Sequence, residues 1–490
     1  MSHPERNVQI ELSSGEPGGS ITIAGDHVLR RLAAWPWNEV RPLLETSLER
    51  DSLAALIPWA EVEADRDWAL LRHPRIRVIS YPHEWCAEML HRAALAHCRL
   101  LAAVAKQGLT LKDAHPWNIL FDDTREVFVD VGSIVPLATL ADLDYLKNVR
   151  ERSHPTLAGE VFRVMFLPYF LLPLAFHQAG LGEIARSMLW RFPLNGATRH
   201  PNLTDYICAA SPRSWRRTLR AIRLANQTSS RFQALCGDLE QSGSLDQFAD
   251  GLADLVSGLT PSPSTSAYSN YYAAKGEEHS LDRPETWNAK QLGVRAALDQ
   301  PGIRTVLDMA CNTGWYSHLA ARLGKQVTAL DIDDACISEV YRNARTAGER
   351  IVPLVADLTR PTPDRQRSLD GELLLIASNR RLRGDIVLAL GILHHLVLGA
   401  GIPLTDALEQ LAEPADHSLL VEFVGLDDEL VTNEPGFFKA LSRNPARFTG
   451  FTLRAAQEGL VAMGWDVSVL PSFPGTRSLI SCKRAGRATN

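Results

Sequence analysis

The chain has 490 residues, a length that predicts two or three domains. Hydrophobic residues make up 45% and charged residues 22% of it, as in an ordinary globular protein with enough apolar material for more than one core. Because 51 basic residues stand against 57 acidic ones, the net charge is −6, and we expect no general nucleic-acid binding.

The cysteines and the first residues favour a cytoplasmic location. The seven cysteines are widely spaced and include no C-x-x-C pair, so neither a disulfide framework nor a cysteine-rich zinc site is predicted. The polar segment Met1–Asn7 has no apolar stretch typical of a signal peptide. The most apolar run, Val161–Phe176, contains Arg163 and two prolines and is shorter than the roughly 20 residues of a membrane span. It predicts a pair of buried helices and no membrane span.

The first half of the chain predicts a small domain with strands, followed by a larger helical one. Strands are expected at Ser20–Ala24, His27–Leu32 and Arg75–Ser80, and helices near Asn38–Leu56 and over Glu84–Lys106. Further short strands are expected at Leu109–Lys112, Ile119–Phe121 and Val127–Val131. The remaining residues, to about Leu255, are predicted to be mostly helical.

One motif in this half indicates a possible catalytic or metal-binding function. Asp113 and Asn118 are spaced D-x-x-x-x-N, and Asp130-Val131-Gly132 follows at the end of an apolar strand. Two carboxylates and an amide are ligands that suit Mg²⁺ and phosphate chemistry. The pattern resembles the catalytic loop and D-F-G element of protein kinases and aminoglycoside phosphotransferases. The resemblance implies that Asp113 positions a hydroxyl nucleophile and that Asn118 and Asp130 hold Mg²⁺.

Other kinase features are weak. Gly15–Gly19 is only a loose glycine loop, and Arg30 or Arg31 stands on the strand where a kinase carries its lysine. Glu39 or Glu45 could take the place of the helix glutamate that pairs with this lysine. We therefore predict a kinase-like accessory domain over residues 1–256, with a small lobe at 1–82 and a helical lobe at 83–256. It would no longer transfer phosphate and would hold no metal, but would bind a substrate, a nucleotide or a partner protein. An active phosphotransferase and a coincidental loop in an unrelated helical domain are the alternatives.

Residues 257–269 are predicted to be a linker, because Ser257–Ser266 is dominated by Ser, Thr, Pro and Gly. After it, short apolar runs alternate with helical patterns, which predicts an α/β domain with a parallel sheet over residues 270–490. The expected parallel strands are Thr305–Met309, Gln326–Asp331, Ile351–Val355, Asp385–Leu390 and Ser418–Val424. A final antiparallel hairpin is expected from Asp466–Leu470 and Ser478–Cys482.

Polar residues and glycines follow the ends of these strands. A turn bearing Gly314 follows the first strand, Asp331 ends the second, Asp357 follows the third, and Gly391–His395 follows the fourth. In this order and spacing they resemble the cofactor site of class I S-adenosylmethionine (SAM)-dependent methyltransferases, over roughly Tyr271–Lys483. The resemblance implies a Rossmann-like, seven-stranded sheet and SAM as the cofactor. A domain of this shape that binds another nucleotide, or none, is the alternative, and the absence of G-x-G-x-x-G disfavours a dehydrogenase.

The resemblance also assigns residues to the cofactor. Those implied beside the methionine and ribose are Asp308, Ala310, Cys311, Asn312 and Gly314. Those implied beside the ribose and adenine are Asp331, Ile332, Asp357 and Leu358, and those beside the sulfonium are Gly391 and Ile392. Ala310 and Asn312 stand where the family usually has glycine, although Asn tolerates a positive φ better than most residues.

Methyl transfer from a sulfonium is an in-line displacement, so the main task of the enzyme is alignment, with a base only where the acceptor must lose a proton. His394 and His395 are candidate bases because neutral imidazole titrates near physiological pH. Glu422, at the end of the fifth strand, is a weaker candidate. Each of these residues could instead only shape the pocket or bond to neighbouring groups at a strand end.

Nearly the whole chain resembles a bacterial family of two-part methyltransferases that includes nodulation-associated proteins. The resemblance is carried by Ser80–Trp85, Leu111–Asp113, Asn118, Phe128–Asp130, His394–Leu396, Glu422–Val424 and Thr476–Leu479. It implies a small-molecule or glycan acceptor, or a secondary metabolite. A bifunctional methyltransferase and kinase, and a non-catalytic SAM-binding regulator, are the alternative functions.

Overall fold

The computed structural model describes residues 10–13, 20–46, 56–149, 152–190, 215–261, 266, 280–366 and 373–484. The chain divides into two compact units. The N-terminal unit comprises Met1–Ser264 and Arg365–Leu374, and the C-terminal unit comprises Thr265–Asp364 and Leu375–Asn490. The division at residue 264 falls inside the segment predicted to be a linker.

The N-terminal unit begins with an antiparallel sheet of five strands. In chain order these are β1 (Ile10–Ser13), β2 (Ser20–Ala24), β3 (His27–Ala33), β4 (Ala60–Ala64) and β5 (Trp68–Pro74). They lie in the order β1-β2-β3-β5-β4, and helix α1 (Ala34–Thr46) connects β3 to the segment before β4. The expected helix at Asn38–Leu56 therefore begins earlier, and its residues 47–55 lie outside the described part of the chain.

The strand predicted at Arg75–Ser80 was wrong, because the strand is β5, which ends at Pro74. In β5, Ala69, Leu71 and His73 are buried while the residues between them are more exposed, and the strand pairs with β3 along its whole length. The pairing ends where His27, the first residue of β3, meets Pro74. Residues 75–80 therefore have no strand beside them to pair with.

Helices make up most of the rest of this unit. They are α2 (Ala87–Ala105), α3 (His154–Phe166), α4 (Leu172–Gln178), α5 (Gly182–Leu189), α6 (Trp215–Ser242) and α7 (Leu245–Ser257). Two short antiparallel pairs follow α2, formed by β6 (Leu109–Leu111) with β9 (Ile134–Pro136) and by β7 (Ile119–Asp122) with β8 (Arg125–Phe128). The strand expected at Val127–Val131 thus starts and ends earlier, because Val131 begins a single helical turn.

The predicted pair of buried helices at Val161–Phe176 is a single continuous helix. A π-helical turn at Leu167–Leu171 joins α3 to α4 and accommodates Pro168, so the helical path is not broken. Over its full extent, His154–Gln178, this helix is long and apolar enough to cross a membrane, but 67% of its most apolar window is buried inside the protein. Such burial is typical of a core helix.

The C-terminal unit contains a seven-stranded sheet in the order β12-β11-β10-β15-β16-β18-β17. The strands are β10 (Thr305–Met309), β11 (Gln326–Asp331), β12 (Ile351–Val355), β15 (Gly384–Ala389), β16 (Ala415–Val424), β17 (Trp465–Pro471) and β18 (Arg477–Arg484). The first five are parallel, and β18 runs antiparallel to both β16 and β17. This confirms the predicted α/β fold with its closing hairpin.

Helices surround this sheet. They are α8 (Ala289–Leu298), α9 (Trp315–Arg322), α10 (Asp334–Ala347), α11 (Ser378–Arg381), α12 (Leu404–Ala412), α13 (Glu429–Asn433), α14 (Lys439–Arg443) and α15 (Leu453–Ala462). A separate pair, β13 (Arg365–Gln366) and β14 (Leu373–Leu375), lies outside the main sheet. Because β10, β11, β12 and β15 are parallel, their carboxyl ends meet at one edge, where α/β sheets bind ligands.

Candidate active site

The turn after β10 has an unusual backbone. Ala310, Asn312 and Gly314 all have positive φ angles, of 63°, 53° and 82°. Two hydrogen bonds hold the turn: Cys311 N donates to Leu330 O at the end of β11 (2.8 Å), and Gly314 N donates to Cys311 O (2.9 Å). Ala310 and Asn312, which stand where the resemblance implies glycine, therefore have the left-handed conformation although both carry side chains.

Gly314 is required for a second reason. A Cβ atom at this position would lie 2.7 Å from Cγ2 of Val340 on α10, so a side chain would force the packing apart. Helix α9 starts at the next residue, Trp315. The turn, the start of α9 and α10 are therefore packed together at the ligand-binding edge of the sheet.

Asp308 is buried below this turn. Its carboxylate accepts a hydrogen bond from the Ser317 hydroxyl at 2.6 Å, and the residue is only 1% exposed. Burial raises the pKa of Asp308 to about 7, against the opposing effect of the Ser317 hydrogen bond. Asp308, which the sequence predicts to bind the cofactor, is therefore hydrogen-bonded to Ser317 of α9.

Asp331, the last residue of β11, is hydrogen-bonded to the turn that follows β10. One of its carboxylate oxygens accepts from Asn312 N at 2.8 Å, and the other accepts from Asp333 N at 2.9 Å. Burial raises the pKa of Asp331, although these backbone hydrogen bonds oppose the shift. Each carboxylate oxygen has a second acceptor site, so the same group can also receive ribose hydroxyls. Ile332 beside it is an exposed apolar residue.

The third strand end carries Asp357 and Leu358. The Asp357 carboxylate accepts from Thr359 N at 2.8 Å and from the Thr359 hydroxyl at 2.6 Å. The carbonyl of Leu358 accepts a hydrogen bond from the Gln410 side chain on α12. The loop is therefore held in place from both sides.

Gly391 and Ile392 begin the loop after β15. Gly391 has a φ of 70°, and a Cβ atom there would lie 3.6 Å from a carboxylate oxygen of Glu422. The Ile392 carbonyl accepts from His395 N at 3.0 Å. Gly391, just after β15, therefore lies close to Glu422 of the neighbouring strand β16.

Glu422 lies in a closed ion pair. It is fully buried, with Lys290 Nζ of α8 at 2.8 Å from one oxygen and the Ser472 hydroxyl at 3.0 Å from the other. Lys290 Nζ also lies 5.5 Å from the centre of the Tyr316 ring. Sequence reasoning named Glu422 but missed Lys290 and Ser472, which are far from it in the chain.

His394 and His395 differ in accessibility. His394 is 1% exposed, and neither of its ring nitrogens has a hydrogen-bond partner among the described residues. Burial, together with His395 and Arg477 nearby, lowers the pKa of His394 well below its usual value. His395 is half-buried, and burial also lowers its pKa. Both rings pack against Phe438, with ring centres 5.7 and 5.5 Å away.

A second charged cluster, missed from the sequence, lies near these histidines. Asp428 accepts hydrogen bonds from Arg477 Nε at 3.0 Å and from the Thr476 hydroxyl at 2.8 Å. Burial would raise the pKa of Asp428, but these hydrogen bonds outweigh it and hold the value at about 2. Asp428 is therefore ionised, and the cluster fixes the start of α13 against β18.

In the N-terminal unit, the kinase-like motif forms a buried polar cluster. Arg30 of β3 donates to the Asp130 carboxylate at 2.6 Å and to Val129 O at 3.2 Å. Asn118 donates from its side chain to the Asp113 carbonyl at 3.1 Å. Burial raises the pKa of Asp113. Among the described residues of the whole chain, no group of three His, Cys, Asp or Glu side chains could hold a metal ion.

Comparison with known proteins gives one relative by sequence. No protein-family model matches the chain. The nodulation protein NoeA of Rhizobium meliloti (strain 1021) is 27% identical over 398 residues, which cover 76% of this chain and 77% of NoeA. This confirms the predicted resemblance to a nodulation-associated family.

Solved structures of methyltransferases align with part of the chain. Magnesium protoporphyrin IX methyltransferase (ChlM) from Synechocystis PCC 6803 with bound SAH is 16% identical, covers 44% of this chain and 97% of its own, and has a TM-score of 0.28. The bifunctional kinase-methyltransferase WbdD is 15% identical, covers 44% of this chain and 42% of its own, and has a TM-score of 0.30. The fold assignment rests on the strand order of the C-terminal unit, not on these alignments.

Proposed function

We propose that the C-terminal unit is a SAM-dependent methyltransferase. The observation that carries the proposal is the positive-φ turn Ala310–Gly314, which is bonded to Asp331 at the carboxyl edge of the seven-stranded sheet. The donors and acceptors at this edge fit SAM. Asp331 can accept from ribose hydroxyls, Ile332 offers an apolar surface to the adenine, and Asp357 can accept from its amino group.

SAM supplies an activated methyl group, so the chain has to align an acceptor with that group and exclude water. The segment Gly391–His395, which leads into a π-helical turn at His395–Gly399, is the part of the site that we assign to the reacting end. Its positive-φ Gly391 lets the backbone come close without a side chain in between. Buried neighbours on both sides, Phe438 and the Glu422–Lys290 pair, hold the loop in one position.

Among the three predicted bases, we favour His395. Its ring is half-buried and its lowered pKa keeps it neutral at pH 7, as a proton acceptor must be. His394 is almost fully buried, and we assign it a packing role beside Phe438. Glu422 is already bonded to Lys290 and Ser472, so we assign it to positioning rather than to proton transfer.

For the acceptor, we propose a small molecule or glycan. Acceptor specificity in this fold comes from segments outside the cofactor motifs. In the C-terminal unit we assign this role to residues 426–451. They include the exposed Phe437 ring, whose centre lies 6.5 Å from that of His395 in a T-shaped arrangement.

We further propose that the N-terminal unit is kinase-like but does not transfer phosphate. A small antiparallel sheet in the order β1-β2-β3-β5-β4, with α1 after β3, supports the proposal of a small lobe that precedes the helical one. The Arg30–Asp130 ion pair is the observation against phosphate transfer. The Arg30 guanidinium is paired with the carboxylate that would bind Mg²⁺ in an active kinase. This favours a binding role over the bifunctional alternative.

Calorimetric titration with SAM tests the cofactor site. Asp331→Ala should weaken binding by roughly 10- to 150-fold, as expected when charge-assisted hydrogen bonds to the ribose are lost. Asp299→Ala is the control, because Asp299 is an exposed carboxylate at the end of α8. Unchanged affinity in Asp331→Ala would exclude the site as described.

A second assay follows the transfer of a labelled methyl group from SAM to molecules in a cell extract. An enzyme would transfer the label, whereas a regulator would bind SAM without any transfer.

A further inference from the structure

The first nine residues of α6, Trp215–Arg223, form a surface that neither proposed function uses. Four arginines occur here, at positions 216, 217, 220 and 223, in a chain whose net charge is −6. The first acidic residue of α6 is Asp238. Arginine at a helix amino terminus is unfavourable, because the helix dipole is positive there. Helix stability therefore does not account for this concentration of positive charge.

The same nine residues expose large apolar side chains. Trp215 is 58% and Leu219 is 54% exposed, among the highest values for large apolar residues in the described chain. The opposite side of the helix is buried through Thr218, Ala221 and Ala225. At 3.6 residues per turn, Trp215, Leu219, Arg223, Arg216 and Arg220 fall within an arc of about 140°. We call this arc the basic–aromatic face.

The charges on the basic–aromatic face are not neutralised locally. Within the part of the chain that the structure describes, Arg216, Arg220 and Arg223 form no ion pair with a carboxylate. The Arg216 guanidinium instead lies 5.4 Å from the centre of the Trp215 ring. Arg454 on α15 behaves differently, because it is bonded to Glu458 at 2.7 Å.

We propose that the basic–aromatic face docks the N-terminal unit on an anionic lipid surface. The arginines match the negative charge of lipid headgroups, and Trp215 and Leu219 can enter the boundary between headgroups and acyl chains. Tryptophan is enriched at this boundary because its ring is apolar and its N–H is polar. A nucleic acid would satisfy the arginines but would leave exposed Leu219 without a role, so the apolar pair favours lipid.

Sedimentation of the full-length protein with vesicles tests this proposal. Wild-type protein should bind vesicles of phosphatidylcholine mixed with phosphatidylglycerol, should bind phosphatidylcholine alone much more weakly, and should be released by salt. Removing two charges, in Arg216→Gln/Arg220→Gln, should lower the partition coefficient by about 25-fold, or about fivefold for each arginine. Trp215→Ser/Leu219→Ser should also weaken binding, while the salt dependence remains.

The matched control is Arg454→Gln/Val461→Ser, which removes an arginine and an exposed apolar residue from α15 of the other unit. It should bind vesicles as the wild type does. Circular dichroism and SAM affinity should be unchanged in all three variants, which shows that they are folded. The proposal is overturned if wild-type protein ignores anionic vesicles, or if the variants of α6 bind them as the control does. Loss of duplex-DNA binding in the arginine variant, with vesicle binding intact, would also overturn it.

Discussion

Ala310 holds a backbone conformation that alanine rarely adopts. Its φ of 63° places it in the left-handed region, at a cost of about 1–2 kcal/mol for a residue with a Cβ atom. For Asn312, with a φ of 53°, the free-energy cost is smaller because Asn tolerates this region. The turn keeps its shape because hydrogen bonds from Cys311 N and Asn312 N tie it to β11.

Replacing Ala310 by Gly should therefore leave the protein as stable or more stable, by up to about 1 kcal/mol. The gain from relieved strain is partly offset by the greater freedom of glycine in the unfolded chain. Urea unfolding of the two proteins measures the difference. The control is Ala296→Gly on the exposed side of α8, which should destabilise by about 1 kcal/mol, as for glycine inside a helix. A similar loss at Ala310 would show that the turn is not strained.

His395 should give the methyl-transfer rate a defined pH dependence. A base works only when it is deprotonated, and burial lowers the pKa of His395 below its usual 6.5. With an acceptor that must lose a proton, kcat/KM should stay level above pH 7 and should fall only at a pH below the usual 6.5 of histidine. In His395→Gln the rate should be lower by roughly 100-fold or more, and this acid limb should vanish. Persistence of the limb would assign the titration to another group.

His394→Gln is the companion variant for that measurement. His394 is almost fully buried, and burial lowers its pKa well below the usual value, so we do not expect its protonation to produce the acid limb. This variant should keep the acid limb of the profile while losing some stability, because a polar amide replaces a ring packed on Phe438. A shifted limb in His394→Gln would give His394, not His395, the role of the base.

At the scale of elements, the strands of the C-terminal unit could be predicted well from the sequence. Parallel strands covered on both faces are continuous apolar runs, and those at Thr305–Met309, Gln326–Asp331 and Ile351–Val355 were predicted to the residue. The sequence also predicted which acids follow these strands. Strand β5 was misplaced because residues 75–80 alternate in burial as a strand does, yet lack a partner to pair with.

The ion pairs between elements could not be predicted. Lys290 meets Glu422 across 132 positions of the chain, and Arg477 meets Asp428 across 49. No local pattern links such residues, because only the folded sheet brings α8 to β16 and β18 to the start of α13. The ion pair with Lys290 is the reason that we assign Glu422 to positioning rather than to proton transfer.

The Lys290–Glu422 pair should hold α8 against the sheet. Lys290→Met leaves the Glu422 carboxylate buried without its partner and should destabilise the protein by about 3 kcal/mol. Lys290→Met/Glu422→Met removes both charges and should recover most of this loss, which thermal and urea unfolding would show. Breaking the exposed pair of Arg295 and Asp299 in the same helix should cost less than about 1 kcal/mol. Equal losses for the two pairs would mean that burial at Glu422 does not matter.

At the scale of the whole molecule, the sequence motifs of the two units resemble those of two different transfer reactions. In the C-terminal unit, Asp331 and Asp357 accept hydrogen bonds from backbone N–H and hydroxyl groups, whereas in the N-terminal unit Asp130 is paired with Arg30 of β3. A carboxylate paired with arginine is a poor ligand for Mg²⁺, which requires oxygen ligands with free lone pairs. This contrast suggests one catalytic unit and one binding unit.

The contrast predicts that the protein transfers methyl groups but not phosphate. With ATP, Mg²⁺ and cell metabolites, labelled phosphate should not be transferred. Asp113→Asn should leave methyl transfer unchanged within about twofold, since the folded unit keeps its other polar contacts.

Arg30→Met is the informative variant, because it frees the Asp130 carboxylate. It should raise the affinity of the unit for Mg²⁺, as measured by calorimetry, while Arg30→Met/Asp130→Asn should not. Phosphate transfer that depends on Asp113 and Asp130 in the wild-type protein would instead establish a bifunctional enzyme, in which the Arg30–Asp130 pair opens when nucleotide binds.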